Sequence, residues 1–276
     1  MINVPKVACI NDISGLGRCS LTMAIPVLSV IGVQCCPVPT AVLSCHTGFE
    51  KFYFKDMTEG MIPYLNDWKD KRIQFDAVYT GFLGSLSQIK TTEDFIKLQN
   101  SSLVVVDTVM GDNGSIYPTY TKQMCDEMQR LVSIADIITP NVTEACFLTD
   151  TEYTGEDIGI TKAKEIIKKL EYKGCKSCVI TGIECQDKLV NLVLENSQIN
   201  EISVDKSKSH SGTGDLFASI VTGFLVKGKS LSNAADIASR FIYDVLEFTH
   251  SNNPPVMDGV LFEPLLYRLG VDYYGK

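Results

Sequence analysis

The sequence predicts an α/β fold, a three-layer sandwich with a mostly parallel central sheet and helices on both faces. Short apolar runs rich in β-branched residues alternate with longer segments whose apolar residues recur at helical spacing. Each run is apolar almost throughout, as expected for strands buried on both faces. Loop residues, most of them polar, follow the predicted carboxyl ends of these runs, at the edge where open α/β sheets bind ligands. They are Asn11 and Asp12, Gly81 and Phe82, Asp107, Asn141 and Glu144, and Thr181.

The first elements predict a β-α-β unit. Residues 4–10 form an apolar run that predicts a strand, and the polar, glycine-containing loop 11–17 ends it. Apolar residues recur at helical spacing over 18–31, where Gly32 predicts a helix end, and residues 33–38 return to strand character. Two parallel strands joined by a helix follow from this order.

The remaining elements continue the alternation. The predicted strands are residues 76–80, 103–106, 136–138 and 177–180, followed by a hairpin of 190–194 and 199–204. The predicted helices are residues 57–68, 85–98 with Ser85 as the cap, 121–133, 141–148, 160–172, 216–226 and 231–248. The aromatic and charged stretch 50–56 is a candidate flap. No linker interrupts the chain, so we expect a single domain over residues 1–276.

Composition limits the class of partner. The net charge is -8 and the sequence pI is near 5.0. Binding to nucleic acid or to an anionic membrane surface needs a basic face, so the charge argues against both. We therefore expect a small-molecule partner.

Cysteine usage indicates a reducing compartment. Many of the ten cysteines lie inside apolar runs, without the spacing of a disulfide framework, so we expect a cytoplasmic protein. Cys175 and Cys178 form a C-x-x-C pair, but Cys185 and three histidines supply no second ligand pair for zinc. We therefore expect no metal or redox role for this pair.

The stretch 19–49 lacks Asp, Glu, Lys and Arg, as a membrane span would. Pro26, Gly32, Pro37 and Pro39 interrupt it too often for a spanning helix. The amino-terminal residues also lack a basic segment followed by an apolar one, so we expect no signal peptide.

A glycine-rich turn, Gly212-Thr213-Gly214-Asp215, opens directly into an apolar helical run. Backbone N–H groups at a helix start lack intrahelical partners and favour an anion. Asp215 has two interpretations. It is either a helix cap, or a base that accepts a proton from an alcohol while the turn approaches a phosphate.

Residues 223–230 match the phosphate-binding pattern G-x-x-x-x-G-K-S. That pattern requires a strand before it and a helix that begins at its lysine. Residues 215–222 instead continue a helix, so we expect Gly228 to end that helix.

Asp107, Asp112, Asn141 and Glu144 form an oxygen-rich set of the kind that Mg²⁺ prefers, with room for waters and nucleotide phosphates. Asn141 and Glu144 lie three residues apart at a predicted helix start and would share a face. The alternative is a helix cap followed by a capping-box acid.

Asn141-x-x-Glu144 followed by the Gly212 turn resembles the signature pair of the ribokinase-like superfamily of small-molecule kinases. Further segments resemble the pyridoxal kinases in order and spacing, over roughly residues 4 to 248. They are Cys45-His46-Thr47-Gly48, Thr80-Gly81-Phe82, Asp107-x-Val109-Met110-Gly111-Asp112, Ile137-Ile138-Thr139-Pro140-Asn141 and Gly212-Thr213-Gly214-Asp215-Leu216-Phe217.

This resemblance implies ATP-dependent phosphorylation of the hydroxymethyl group of pyridoxal, pyridoxine or pyridoxamine. It implies ATP and Mg²⁺ as cofactors, leaves a monovalent cation open, and implies a homodimer. Asp215 matches the catalytic base, and the Gly212, Thr213 and Gly214 amides match the anion hole. The substrate positions are Asp12, His46, Thr47, Phe82 and Tyr117. The nucleotide positions are Asp112, Thr139, Asn141, Glu144, Thr181 and Thr213, and those around Mg²⁺, partly through water, are Asp107, Asp112, Asn141 and Glu144.

The chain departs from the pyridoxal kinases at two positions. Those enzymes commonly carry Ser where this chain has Asp12, and Asp-Pro where it has Asp107-Thr108, and the first change puts vitamer preference in doubt. The related hydroxymethylpyrimidine kinases share the fold and the Gly-Thr-Gly-Asp turn, but usually carry Gln-Asn-Thr near Cys45-His46-Thr47. A third alternative is a non-catalytic nucleotide- or pyridoxal phosphate-binding protein, against which Asp215 argues because binding needs no base.

Overall fold

The computed structural model describes residues 4–99, 102–155, 157–207, 210 and 212–274. Its strands are β1 (Lys6–Ser14), β2 (Gln34–Leu43), β3 (Phe54–Asp56), β4 (Ala77–Thr80), β5 (Leu103–Val106), β6 (Gly111–Asp112), β7 (Ser115–Ile116), β8 (Ile137–Ile138), β9 (Cys178–Cys185), β10 (Lys188–Glu195) and β11 (Gln198–Asp205). Its α-helices are α1 (Ser20–Ile31), α2 (Thr58–Asp70), α3 (Leu86–Leu98), α4 (Lys122–Ile134), α5 (Val142–Leu148), α6 (Ile160–Tyr172), α7 (Thr213–Val226), α8 (Leu231–Asn252) and α9 (Tyr267–Tyr274).

The main sheet has nine strands in the order β11-β10-β9-β8-β5-β4-β1-β2-β3. Neighbouring strands from β9 to β2 are parallel, whereas β3 at one edge and β10 and β11 at the other pair antiparallel. The predicted mostly parallel sheet is therefore confirmed. β6 and β7 form a separate two-stranded hairpin.

Helices cover both faces of the sheet because its strands are apolar on both sides. On β1, Ala8 and Ile10 point into one core, which α2 to α6 complete, and Val7 and Cys9 point into the other, with α1, α7, α8 and α9. All four side chains are fully buried. None of the helices in the described residues is both long and apolar enough to cross a membrane.

Local signals predicted several element ends correctly. Ser85 caps α3 by accepting a hydrogen bond from the Gln88 N–H at 3.1 Å. The hairpin of β10 and β11 turns at Asn196 and Ser197, both with positive φ, as two-residue hairpin turns require. Gly228 adopts φ 85° directly after α7, so the phosphate-loop-like segment is a helix end, as predicted.

β1 runs further than predicted. It continues through Asn11 and Asp12, which the sequence placed in a loop, so that prediction was wrong. The register with β2 shifts between Asn11 and Ile13. The Asn11 side chain has a hydrogen-bond partner in this extended strand, because its Oδ1 accepts the Phe82 N–H at 2.8 Å. A tertiary hydrogen bond thus extends the strand beyond its apolar run.

β9 also runs further, through Thr181 and Gly182 into a hairpin with β10, so the predicted strand exit at Thr181 was wrong. Gly182 has φ 79°, and its N–H donates to Asn191 Oδ1 at 3.0 Å. β9 is therefore irregular at Gly182, and the Asn191 side chain on β10 stabilises this irregularity. The sequence also gave no sign of β3, of the β6-β7 hairpin or of α9.

Candidate active site

A cavity of about 640 Å³ lies along the carboxyl edge of the parallel strands, and every site residue predicted from the sequence lines it. These residues are Asp12, His46, Thr47, Phe82, Asp107, Asp112, Tyr117, Thr139, Asn141, Glu144, Thr181, Gly212, Thr213, Gly214 and Asp215. These residues come from strands that lie far apart in the sheet. Asp12 lies on β1 and His46 and Thr47 follow β2, whereas Thr181 lies on β9, which three strands separate from β1. The cavity therefore has two ends, which we call the β1 end and the β9 end.

Gly212 is the cap residue of α7 and has φ 90°. A Cβ at this position would lie 2.3 Å from the Arg18 carbonyl oxygen, so both the conformation and the space require glycine. A Cβ at Gly214 would meet no atom within 4 Å, because the first turn of α7 faces the open cavity. The turn thus leaves room for a ligand directly over the helix start.

Asp215 lies in this first turn but is not the cap residue of α7, which is Gly212. Its carboxylate instead accepts a hydrogen bond from β1, where Asn11 Nδ2 donates to Asp215 Oδ1 at 3.2 Å. Burial raises the pKa of Asp215 to about 6, and the nearby charge of Asp12 adds to the rise.

Asp12 is a second buried carboxylate at the β1 end. Both of its oxygens accept hydrogen bonds, from Ser20 Oγ at 2.6 Å and from Ser14 Oγ at 2.9 Å. Burial raises the pKa of Asp12, and the two serine hydroxyls oppose that rise. The two hydroxyls therefore offset part of the cost of burying the Asp12 charge.

His46 has both ring nitrogens engaged within the protein. The Gly48 N–H donates to Nδ1 at 3.1 Å, so Nδ1 is unprotonated, and Nε2 donates to the Met257 carbonyl oxygen at 2.8 Å. The ring also fits closely against Gly17, where a Cβ would lie 2.2 Å from His46 Cδ2. His46 thus forms a wall of the β1 end and joins it to residues 256–258.

Asn141 and Glu144 form the capping box that the sequence left as an alternative. Asn141 Oδ1 accepts the Glu144 N–H at 2.8 Å, and Glu144 Oε2 accepts the Asn141 N–H at 3.0 Å. Glu144 also accepts from Thr108 Oγ1 and the Met110 N–H, each at 3.0 Å. Burial raises the pKa of Glu144, and these hydrogen bonds oppose the rise.

Asp107 is buried between the capping box and α7. Burial raises its pKa well above the usual range, and the charges of Glu144 and Asp215 raise it further. Thr139 Oγ1 donates to Asp107 Oδ1 at 3.2 Å. Asp112 is exposed instead, and its carboxylate accepts hydrogen bonds from Asn113.

The described residues contain no group of three or more His, Cys, Asp or Glu side chains that could hold a metal by themselves. Asp107 is the member of the predicted set with the fewest hydrogen bonds, whereas Asn141 and Glu144 are occupied by the capping box. Seven carboxylates line the cavity, against one Lys or Arg among its described lining residues, Arg18. The Arg18 side chain bonds to Glu263 and to the Asp258 carbonyl oxygen. The donor set therefore fits a cation that arrives with an anionic ligand and is held partly through water.

The aromatic and hydroxyl residues complete the walls. Phe82 and Tyr117 pack against the core on the α2–α6 side, and burial raises the pKa of Tyr117. Thr181 Oγ1 reaches the Pro140 carbonyl oxygen at 3.5 Å, and Thr213 Oγ1 reaches that of His210 at 3.4 Å.

Sequence reasoning missed several lining residues. At the β1 end they are Asn11 as an Asp215 partner, Ser14 and Ser20, and at the β9 end they are Asn191, Ser239, Ile242, Tyr243 and Leu246. The position of Asn11 beside Asp12 was an available signal. The residues from α8 belong to an ordinary amphipathic pattern, which carries no sign of a site.

The sequence profile of the phosphomethylpyrimidine kinase family matches residues 25–258. In structure, the chain is similar to a candidate phosphomethylpyrimidine kinase from Bacteroides thetaiotaomicron, with 40% identity and a TM-score of 0.93 over 97% of this chain and 94% of that chain. Another crystal form of that protein, with pyridoxal, gives 39% identity and a TM-score of 0.91 over 97% and 96% of the two chains.

Two further proteins extend the comparison. Pyridoxal kinase from Lactobacillus plantarum is 25% identical, with a TM-score of 0.90 over 99% of this chain and 98% of that chain. The chloroplastic thiamine biosynthetic bifunctional enzyme of Arabidopsis thaliana is 27% identical over 89% of this chain, which spans only 47% of that enzyme. These matches confirm the predicted fold and the resemblance to pyridoxal kinases.

Proposed function

The chain belongs to the phosphomethylpyrimidine kinase family, and from that premise we propose that it transfers the γ-phosphoryl group of ATP to the hydroxymethyl group of a vitamin B6 vitamer. The vitamer is pyridoxal, pyridoxine or pyridoxamine, and the products are its 5'-phosphate and ADP. The observation that carries this proposal is Asp215, a carboxylate whose pKa is raised to about 6 beside an open helix start in the cavity.

In this mechanism Asp215 accepts the proton of the hydroxymethyl group. The hydroxyl oxygen forms a bond to the γ-phosphorus as the bond from that phosphorus to the ADP oxygen breaks. The N–H groups of Gly212, Thr213 and Gly214 stabilise the charge on the transferring phosphoryl oxygens, since a helix start attracts anions. A base works best when its pKa lies near the working pH, and a value of about 6 suits that role.

The nucleotide occupies the β9 end in this proposal, with Thr139, Thr181 and Thr213 as contacts. The excess of carboxylates in the cavity would repel ATP alone, so the nucleotide arrives with Mg²⁺, which neutralises phosphate charge when bound. Asp107 would hold the ion most directly, because it has the fewest hydrogen bonds of the set. Asn141, Glu144 and Asp112 would contribute through water, because their side chains already bond within the protein.

The vitamer ring occupies the β1 end, bounded by His46, Thr47, Phe82 and Tyr117, with Asp12 beneath them. Pyridoxal is present in the crystal of the Bacteroides thetaiotaomicron relative, and this supports a B6 vitamer as the substrate. Phe82 and Tyr117 supply flat apolar surfaces of the kind that a pyridine ring contacts.

Hydroxymethylpyrimidine is the second candidate substrate, because the family profile carries the name of a pyrimidine kinase. Its hydroxymethyl group would meet the same base and the same anion site. The two substrates differ in the ring and in its other substituents, so the β1 end decides between them.

The test is turnover of pyridoxal, pyridoxine, pyridoxamine and hydroxymethylpyrimidine with Mg-ATP, measured as ADP release and as phosphorylated product. We expect at least one vitamer to have a kcat/KM above that of hydroxymethylpyrimidine. A preference for the pyrimidine would establish the second candidate. Absence of ADP release with all four compounds, despite nucleotide binding, would support a non-catalytic binding protein instead.

A further inference from the structure

Asn11 makes three hydrogen bonds in the second half of β1, where its side chain is fully buried. Its Nδ2 donates to Asp215 Oδ1 at 3.2 Å. Its Oδ1 accepts two backbone N–H groups, from Phe82 at 2.8 Å and from Asp12 at 2.9 Å. One side chain therefore connects the proposed base to the backbone of two residues that line the β1 end.

The orientation of this amide is fixed by its neighbours. An asparagine oxygen can only accept hydrogen bonds and its nitrogen can only donate them, so exchange of the two atoms would turn an N–H₂ group towards two N–H donors. The same exchange would turn the amide oxygen towards the Asp215 carboxylate, where two acceptors repel each other. Gly81 packs against the amide, since a Cβ there would lie 2.3 Å from Asn11 Nδ2 and 2.8 Å from its Oδ1. These neighbours keep the Nδ2 donor directed at Asp215 Oδ1.

Phe82, a wall of the β1 end, is held by the same amide and by one further side chain. Its N–H donates to Asn11 Oδ1, and its carbonyl oxygen accepts from Thr40 Oγ1 at 2.8 Å. Thr40 lies on β2, is fully buried and does not line the cavity. Asn11 thus bonds both the base and the wall, whereas the Thr40 hydroxyl bonds the wall.

We propose that Asn11 is a positioning residue for the base: it occupies Asp215 Oδ1, so that Oδ2 receives the proton of the hydroxymethyl group. This role rests on the proposed function, in which Asp215 is the base. Because the same amide holds Phe82, the direction of Oδ2 is set relative to the surface against which the vitamer ring lies. A displacement of about 1 Å at such a group costs about 10²-fold in rate, so one hydrogen bond has a large effect on kcat.

Asn11→Asp separates the two sides of the amide. Aspartate has nearly the same shape and still accepts the Phe82 and Asp12 N–H groups, but in its ionised form it has no proton to donate to Asp215. At pH 8 we expect kcat to fall by about 10- to 100-fold, with the vitamer and ATP KM within about twofold of the parent values.

Thr40→Val is the matched control, because it removes a partner of Phe82 and leaves the bond from Asn11 to Asp215 in place. We expect it to raise the vitamer KM by about 3- to 10-fold, the scale of one hydrogen bond, and to keep the parent kcat.

A neutral variant removes the effect of the added charge. Asn11→Leu has a similar shape and neither donor nor acceptor, so we expect it to combine the lower kcat of Asn11→Asp with the higher vitamer KM of Thr40→Val. If Asn11 acts through Asp215, it has no base to position once Asp215 is replaced. In the Asp215→Asn background we therefore expect Asn11→Leu to lower kcat by less than about twofold further. Thermal unfolding shows that each variant is folded.

Three outcomes would overturn the proposal. The first is an Asn11→Asp enzyme with the parent kcat, and the second is a Thr40→Val enzyme as slow as Asn11→Asp, which would trace the loss to the wall. The third is an Asn11→Leu change that lowers kcat by the same factor with Asp215 and without it. Failure of the proposed function looks different, because Asp215→Asn alone would then keep the parent kcat.

Discussion

Two helices that start at the cavity carry an acid at the same position, and the two acids differ in what they bond. Glu144 and Asp215 each lie three residues after the cap residue of their helices, α5 and α7. Glu144 turns back to its own helix, where the Asn141 side chain completes a reciprocal cap. Gly212 has no side chain to offer, and Asp215 accepts a hydrogen bond from Asn11 on β1. The cap residue, rather than the position of the acid, therefore separates a structural carboxylate from one that is available for chemistry.

The largest expected difference between these acids is in turnover. Asp215→Asn removes the proposed base and lowers kcat by about 10²- to 10⁴-fold, with nucleotide affinity little changed. Lys229→Ala, in the segment that ends α7, is the control and keeps its activity, because Lys229 does not line the cavity. Steady-state assays of both variants test this, and an Lys229→Ala enzyme as slow as Asp215→Asn would contradict our placement of the phosphates.

The second largest expected effect is the loss of stability when the cap residue of α7, Gly212, is replaced. Gly212→Ala places a Cβ against the Arg18 carbonyl oxygen at positive φ, so we expect a loss of more than about 2 kcal/mol in the free energy of unfolding. Gly214→Ala meets open space and changes stability by less than about 0.5 kcal/mol. Chemical denaturation of the pair compares them, and equal losses would mean that the close approach of Gly212 to Arg18 is not what requires glycine.

Glu144→Gln tests the structural acid. The amide would point an N–H₂ group at donors that now bond to Oε1 or Oε2, which costs about 1–3 kcal/mol of stability. We also expect a higher Mg²⁺ concentration at half-maximal rate, relieved in part by excess Mg²⁺.

Asp215→Asn removes a buried charge and is the stability control for Glu144→Gln. We expect it to unfold at the parent temperature or above. If Glu144→Gln keeps the parent stability but shifts the Mg²⁺ titration, Glu144 is chiefly a metal-site residue. That result would contradict its role as a structural carboxylate of α5.

The smallest expected effect is on the pH profile. Asp215 accepts a proton only when ionised, and its pKa in the ligand-free protein is raised to about 6, so kcat/KM is retained above that value and falls as the pH drops through it. At pH 5 we expect about a tenfold loss relative to the plateau. A profile that stays flat down to pH 4.5 in a folded enzyme would show that the base has an ordinary carboxyl pKa.

Much of the fold was predictable because its strands are short apolar runs between polar exits, and 103–106 and 160–172 were predicted to the residue. The extension of β1 through Asn11 and Asp12 was not, because their side chains are satisfied only by tertiary partners. The Asn-x-x-Glu spacing indicated the capping box at Asn141. It could not separate a cap from a metal site, since the two differ in the direction of side chains and not in sequence.

The hydrogen bond from His46 to the Met257 carbonyl oxygen links the β1 end to a segment remote in the sequence. The Arg18 N–H also donates to the Asp258 carbonyl oxygen, at 3.2 Å, and the His46 N–H donates to that of Leu16 at the same distance. We therefore expect the three segments to open as one cooperative unit, so that their amide hydrogens exchange with solvent at a common rate. Proteolysis near residues 253–257, or any fluctuation that frees Met257, would loosen the loop that carries Thr47 while the β9 end stays protected. The proposed vitamer pocket would then be lost through local unfolding before the proposed nucleotide pocket.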